Sequence, residues 1–194
     1  MDTLTAIFGR RSVGRLHDPA PAGPDLDAIL LAAAAAPDHL ELRPLRLVVL
    51  TGAAKDAFGA VLADAYRARC EQNGIDVVAA KLDKERTKLG RAPLVVIVVA
   101  TDTTGGRIPF AEQEATAAAA AQNALLAATA LGYGSMWRTG DPAYDPTVKR
   151  ALGLDGADTI SGFLYLGTAP AELPANAPDL AGVVTTWAPP AGGA

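Results

Sequence analysis

Two short arginine-bearing segments carry the most suggestive chemistry in this chain. Arg10-Arg11-Ser12 places two guanidiniums beside a hydroxyl, and Trp137-Arg138-Thr139 repeats the arginine–hydroxyl pairing next to an indole. Guanidinium forks take up phosphate and carboxylate oxygens in pairs, through charge-assisted bonds stronger than neutral ones. A small anion therefore suits both segments, although adjacent arginines at a helix end are equally well explained as solvated surface. His39 follows Pro37-Asp38 at the end of a helix-like stretch, where a lone histidine caps or faces solvent as readily as it catalyses. Glu112 and Glu114 open a long helical stretch, where acids complement the positive end of the helix.

Other kinds of site lack their parts. Cys70 is the single cysteine, so no internal disulfide can form, and two histidines complete no zinc ligand set. Ser135 has no Gly-x-Ser-x-Gly frame around it. No Gly-x-Gly-x-x-Gly follows a strand-like run, and no Gly-Lys-Ser/Thr phosphate loop is present. Gly132-Tyr133-Gly134 follows a helix instead of opening one. No hydrolase triad and no structural metal are expected from these residues.

The elements that must position these residues belong to one domain with a proper core, since the chain has 194 residues. Half of them are hydrophobic and a fifth charged, but the apolar share leans on alanine, so volume per apolar residue is low and a partner surface would help to bury area. The net charge of -4 argues against a general nucleic-acid binder, whose footprint is basic. Asp2 and the absence of an apolar run before Arg10 speak against a signal peptide. No stretch of about 18 uncharged apolar residues suggests a membrane span. A cytoplasmic protein is the expectation.

Asp2 is placed to cap a helix through Phe8 that stops at Gly9. The proline-rich segment from Asp18 to Pro24 reads as a linker into a helix over Asp25–Ala36. Leu47–Thr51 reads as a buried strand, Ala53–Gln72 as a helix, and Val77–Lys88 as a charged helix that forms a solvated face or a lid. The β-branched run Leu94–Ala100 reads as a central strand covered on both faces. No Gly or Pro falls between Glu112 and Leu131, which predicts a helix about 30 Å long; its apolar composition predicts burial on every side. A turn is expected from Gly132 to Thr139, a short helix over Thr147–Leu152 and a strand over Ser161–Thr168. Residues 1–170 would form the domain. Residues 171–194 would form a Pro/Ala-rich arm whose strand-like patch, Val183–Trp187, reaches a partner subunit.

In order and spacing, these pieces resemble the FMN-dependent nitroreductase family, especially its short single-domain branch. The resemblance rests on Arg10-Arg11-Ser12, Ala36-Pro37-Asp38-His39, Arg91-Ala92-Pro93-Leu94, Glu112-Gln113-Glu114, Gly134 to Thr139, and Gly162 to Thr168. It implies an α+β fold with a small mixed β-sheet flanked by helices around a long buried central helix. It also implies an intertwined homodimer with FMN at the subunit interface. Arg10, Arg11 and Ser12 match the family's phosphate- and ribityl-binding segment, and Trp137, Arg138 and Thr139 its second flavin segment. Ala35 and His39 fall where the partner approaches the flavin, and Ala127, Ala128, Thr129, Ala130, Leu131 and Gly132 match the stretch assigned to the nicotinamide nucleotide.

The activity implied is an FMN-dependent NAD(P)H oxidoreductase. Hydride would pass through flavin N5 to a nitroaromatic, quinone or other electron-poor small molecule by a ping-pong mechanism. A flavin-sequestering protein, or an enzyme specialised for one metabolite, are the alternatives. The chain departs from the family pattern at three places. Arg43-Pro44-Leu45 stands where relatives have Gln-Pro-Trp, Ala35 where arginine is common, and Gly14 where many members carry a lysine near flavin N1. Arg43 is expected to supply part of that missing charge.

Overall fold

The strand Leu94–Ala100 (β2) is buried at every position and forms the axis of the molecule. The computed structural model describes residues 1–171 and 173–189. β2 lies between β1 (Leu45–Thr51) and β4 (Thr159–Gly167), and β3 (Gly134–Arg138) closes the far edge, giving the order β1-β2-β4-β3. Ile97 sits opposite Val48 on one side and Phe163 on the other, and all three strand pairings are antiparallel. The sheet is mixed only through one isolated parallel bridge, Ser12 to Ser135. β1 is an edge strand and not the buried one expected: Leu50 alone is buried, because no further strand of the described residues covers it.

Alternation along β2 sends side chains into two cores. Val95, Ile97 and Val99 meet Phe58, Leu62 and Ala65 of α3 (Gly52–Gln72), which comes after α1 (Thr3–Gly9) and α2 (Pro24–Ala34). Leu94, Val96, Val98 and Ala100 meet Ile29 and Ala33 of α2 and the alanines of the long helix. α4 (Ala79–Thr87) lies against α3 at Gly59, where a Cβ would run into the Arg86 carbonyl. α1 starts as expected, with Asp2 Oδ1 accepting the Thr5 N–H at 3.1 Å.

The long helix α5 (Phe110–Ala130) is buried on one side only. Ala117, Ala120, Ala121, Ala124 and Ala128 face the sheet and α2, and buried Gln113 bonds the 102–104 loop, whereas Ala111, Ala115 and Ala118 are exposed. The expectation of burial all round therefore fails within a single chain, which has a layer for one face of α5 and none for the other. After α5 and β3 come α6 (Asp141–Tyr144) and α7 (Pro146–Ala151). Asp145 links them: it is buried, caps α7 through the Thr147 N–H at 2.7 Å, and is paired with Arg69 of α3.

Beyond β4 the chain crosses the end of α1, where the Asn176 N–H donates to Phe8 O at 2.8 Å. The expected strand over Val183–Trp187 is absent within the chain: Val183 ends a turn, the rest is extended, and Trp187 is 80% exposed. No strand edge of the chain's own sheet receives it. The last five positions of the proposed arm, 190–194, lie outside the described residues.

Candidate functional site

The segment expected as a turn around Trp137 is a strand, β3, and the reason lies across the sheet. Trp137 pairs with Leu164 and Arg138 with Phe163. The Trp137 indole crosses β4 over Gly162, where any Cβ would collide with the ring, and donates its N–H to Ser161 O at 3.0 Å. That space comes from a glycine more than twenty residues downstream, so local composition around Trp137 does not announce a strand. Alternation then splits the motif: Trp137 packs into the α2/α5 core, while Met136 packs toward α3. Arg138, two residues on from Met136, shares its face.

Arg138, Thr139 and Gly140 edge a cavity of about 390 Å³ between the sheet, α3 and α4. Leu62, Leu89, Pro142 and Phe163 give it apolar walls, and Lys84, Lys88, Arg91 and Glu85 give it charge. Glu85 is buried and holds Lys88 at 2.5 Å. Neither Arg138 nor Arg91 has a carboxylate within ion-pair distance among the described residues. Arg138 instead lies 5.9 Å from the ring centre of Tyr165 and donates from Nε toward Met136 Sδ at 3.2 Å. Burial pushes the Tyr165 phenol up to about 12, against the opposing pull of Arg138 and Arg91.

The sign of that shift predicts an alkaline effect. The folded protein disfavours the phenolate, so Tyr165 contributes stability below its usual value of 10.0, and that contribution disappears as pH rises toward about 12. Denaturant melts of the wild type and Tyr165→Phe, compared from pH 9 to 12, should show a stability difference that changes by at most roughly 3 kcal/mol across that window. Parallel pH profiles would show that Tyr165 is not held this way.

The structure brings the backbones of the two arginine segments together but not all of their side chains. Residues 11–13 run along the outer edge of β3, with the Val13 N–H donating to Ser135 O at 2.9 Å and Ser12 bridged to Ser135. Arg11 turns back, donating to Phe8 O at 3.2 Å and Arg10 O at 2.8 Å, where its charge complements the end of α1. It faces a separate cavity with Thr129, Gly132, Tyr133 and Leu173. Arg10 is half-buried and has no ion-pair partner among the described residues. The expected convergence of Arg11 with Arg138 on one cavity does not occur in the single chain.

Ala35, His39 and Arg43 lie elsewhere. Ala35 ends α2, exposed, in a shallow cavity with Ala127 and Ala130. His39 Nδ1 is 3.2 Å from Glu112 Oε2 at the start of α5, both about half exposed. Leu40, Glu41 and Arg43 have φ of 53°, 55° and 52°, a region non-glycine residues rarely enter. Asp38 holds that loop by accepting the Arg43 N–H at 2.7 Å. Arg43 just precedes β1, at the sheet edge opposite β3, so within one chain it cannot supply charge to the Arg138 cavity as expected.

Ala127 to Gly132 form the last turn of α5 and its closure. The Tyr133 N–H returns to Ala128 O at 2.8 Å and the Gly132 N–H to Thr129 O at 3.0 Å, with Gly132 at φ 87°. Ala128 is buried, so only Ala130, Leu131 and Gly132 present exposed surface from this stretch.

Sequence reasoning missed Lys84, Lys88, Arg91 and Tyr165, having read 77–88 as solvated face or lid. The available signal was Glu85 and Leu89, one helical turn apart, which mark an inward stripe within that charged stretch.

A family profile described as "Nitroreductase family" matches residues 7–168. "Putative NAD(P)H nitroreductase YdjA" of Escherichia coli K12 is 40% identical over 187 residues, covering 95% of this chain and 99% of that protein. A "Putative NAD(P)H nitroreductase" of Haemophilus influenzae is 31% identical, covering 87% and 89%. Among solved structures, a nitroreductase-like family protein from Bacillus cereus superposes with a TM-score of 0.79 at 21% identity, covering 96% of each chain. A "putative nitroreductase in complex with fmn" from Desulfovibrio desulfuricans superposes with a TM-score of 0.72 at 25% identity, covering 97% and 98%.

Proposed function

From a chain that belongs to the nitroreductase family, we propose an FMN-dependent NAD(P)H oxidoreductase that passes hydride to nitroaromatic, quinone or similarly electron-poor small molecules. The observation that carries this reading is the cavity beside Arg138: an apolar face for a flat ring, with two arginines that have no acidic partner among the described residues. Its residues fit FMN by donor chemistry. Leu62, Leu89 and Phe163 suit an isoalloxazine, while Arg91, Arg138 and the Thr139–Gly140 backbone provide donors at the rim. Ser12, carried along β3, and Arg10, at the end of α1, suit the ribityl phosphate; Arg11 reaches it only by leaving the end of α1. When bound, FMN supplies the two-electron chemistry at N5. The side chains bind it, orient it and keep water from its inner face, and no nucleophile is needed.

The assembly we propose is a homodimer. The exposed alanines of α5, the open edge of β1, and an arm with Leu180, Val183, Val184 and Trp187 exposed are all unsatisfied in one chain. The arm patch would pair with the partner's β1 edge, which brings the partner's Arg43 and His39 toward the flavin. Light scattering should return twice the 19.8 kDa chain mass. The proposed location is the cytoplasm; no helix among the described residues is long and apolar enough to cross a membrane.

Stopped-flow mixing of the FMN-loaded protein with NADH or NADPH tests the activity. Rapid bleaching of the flavin band, restored by a quinone or nitroaromatic, is the expected result. FMN that binds but resists reduction by either nucleotide would leave a sequestering protein instead.

A further inference from the structure

The cavity under β3 holds more positive charge than its own acid balances. Lys88 is taken up by Glu85 at 2.5 Å and Lys84 is exposed at the rim. Arg91 and Arg138 remain, each half-buried and each without an acidic partner among the described residues. Both guanidiniums act on Tyr165, so their fields meet within the same space. Partly burying arginine without a counter-charge is unfavourable, and a site that does it twice is built for an anion.

The path of the chain puts Arg91 at a particular place. The Leu16 N–H donates to Arg91 O at 2.8 Å, so the N-terminal segment carrying Ser12 and Gly14 passes beside it. Gly14 contributes no side chain there, and a Cβ on it would meet nothing within 4 Å. Arg43 stands at the opposite sheet edge. Arg91 is thus this chain's own cation on the side of the cavity nearest that segment. Leu62, Leu89 and Phe163 offer the same space a flat apolar surface, which suits a ring whose edge meets the guanidinium.

We propose that Arg91, together with Arg138, holds the negative charge that a flavin ring acquires on reduction, and so sets the reduction potential of bound FMN. The inference rests on the reading of this cavity as the flavin site. A hydride brings two electrons and one proton, leaving the nicotinamide cationic and adding one unit of negative charge to the flavin; a neighbouring guanidinium favours keeping that charge over taking a second proton from solvent. Phosphate carries its charge in both redox states. A residue that holds phosphate therefore changes affinity for both forms alike, whereas one beside the ring changes their ratio.

The test is a pair of titrations with FMN itself, oxidised and dithionite-reduced, on apo-protein of the wild type, Arg91→Gln and Arg91→Lys, with circular dichroism to verify folding. Arg91→Gln should weaken the binding of reduced FMN about tenfold more than that of oxidised FMN, equal to about 30 mV for a two-electron couple. Arg91→Lys should keep most of the preference. Equal weakening of both forms, or an unchanged ratio in Arg91→Gln, overturns the proposal. If Arg91→Gln does not fold, Arg91→Met, which keeps an unbranched stem without the charge, takes its place, and an unaltered ratio there overturns the proposal. Wild-type protein that binds neither form of FMN refutes the flavin reading itself, and the inference with it.

Discussion

Replacing Arg138 with glutamine is expected to weaken FMN binding about a hundredfold. Truncating one member of a buried charge pair costs about 2–5 kcal/mol, and each 1.4 kcal/mol is tenfold. Arg138 is the one arginine of the two sequence motifs that lines this cavity, and among the described residues its side chain meets the Met136 thioether and the Tyr165 ring and pairs with no acid. Removing it therefore leaves no internal acid stranded, and the loss should fall on the ligand more than on the fold. Quenching of FMN fluorescence on titration with apo-protein measures the affinity, with a thermal melt to show that the variant stays folded. Arg138→Lys should retain a substantial part of the binding as a point charge without the fork. An Arg138→Gln variant with wild-type affinity would move the flavin out of this cavity.

The largest effect on stability is expected at Asp145, well away from the motifs. Its side chain is 2% exposed, pairs with Arg69, and caps α7 by accepting the Thr147 N–H at 2.7 Å and the Val148 N–H at 3.4 Å. Asp145→Ala removes the cap and leaves Arg69 with Asp141 alone, at 3.6 Å. Stranding a buried charge costs about 3–5 kcal/mol, and the lost cap about 1 kcal/mol; since Arg69 keeps some access to solvent, about 3 kcal/mol is the expected total. That is a sizeable share of the stability of an ordinary domain. Urea denaturation measures it, and a midpoint unchanged from the wild type would show that the Arg69–Asp145 pair contributes nothing net. Because α6 and α7 follow directly on Thr139 and Gly140, lower FMN affinity in the folded fraction is expected too.

Much of the molecule could be read from residue order alone, because the deciding forces were local or cumulative along the chain. Asp2 caps α1, Pro24 opens α2, and the run Leu94–Ala100 is the buried central strand, each for a reason contained within a few residues. The ordered set from Arg10 to Thr168 also identified the family, since several weak motifs at fixed separations are specific together. What residue order could not decide was which side chains share a space. Trp137 lies in a strand because Gly162, a distant glycine, leaves room for its indole. Arg11 and Arg138 part company because one closes a helix end while the other sits on the inward face of an edge strand. Lys84 and Lys88, from a stretch expected to be a solvated face or lid, and Arg91, from the motif that opens β2, meet Arg138 because α4 is seated on α3 at Gly59 and the segment after it feeds β2 next to β4. Spacing along a chain determines element type and face; strand order and helix seating determine which faces meet, and those depend on contacts between residues far apart in sequence.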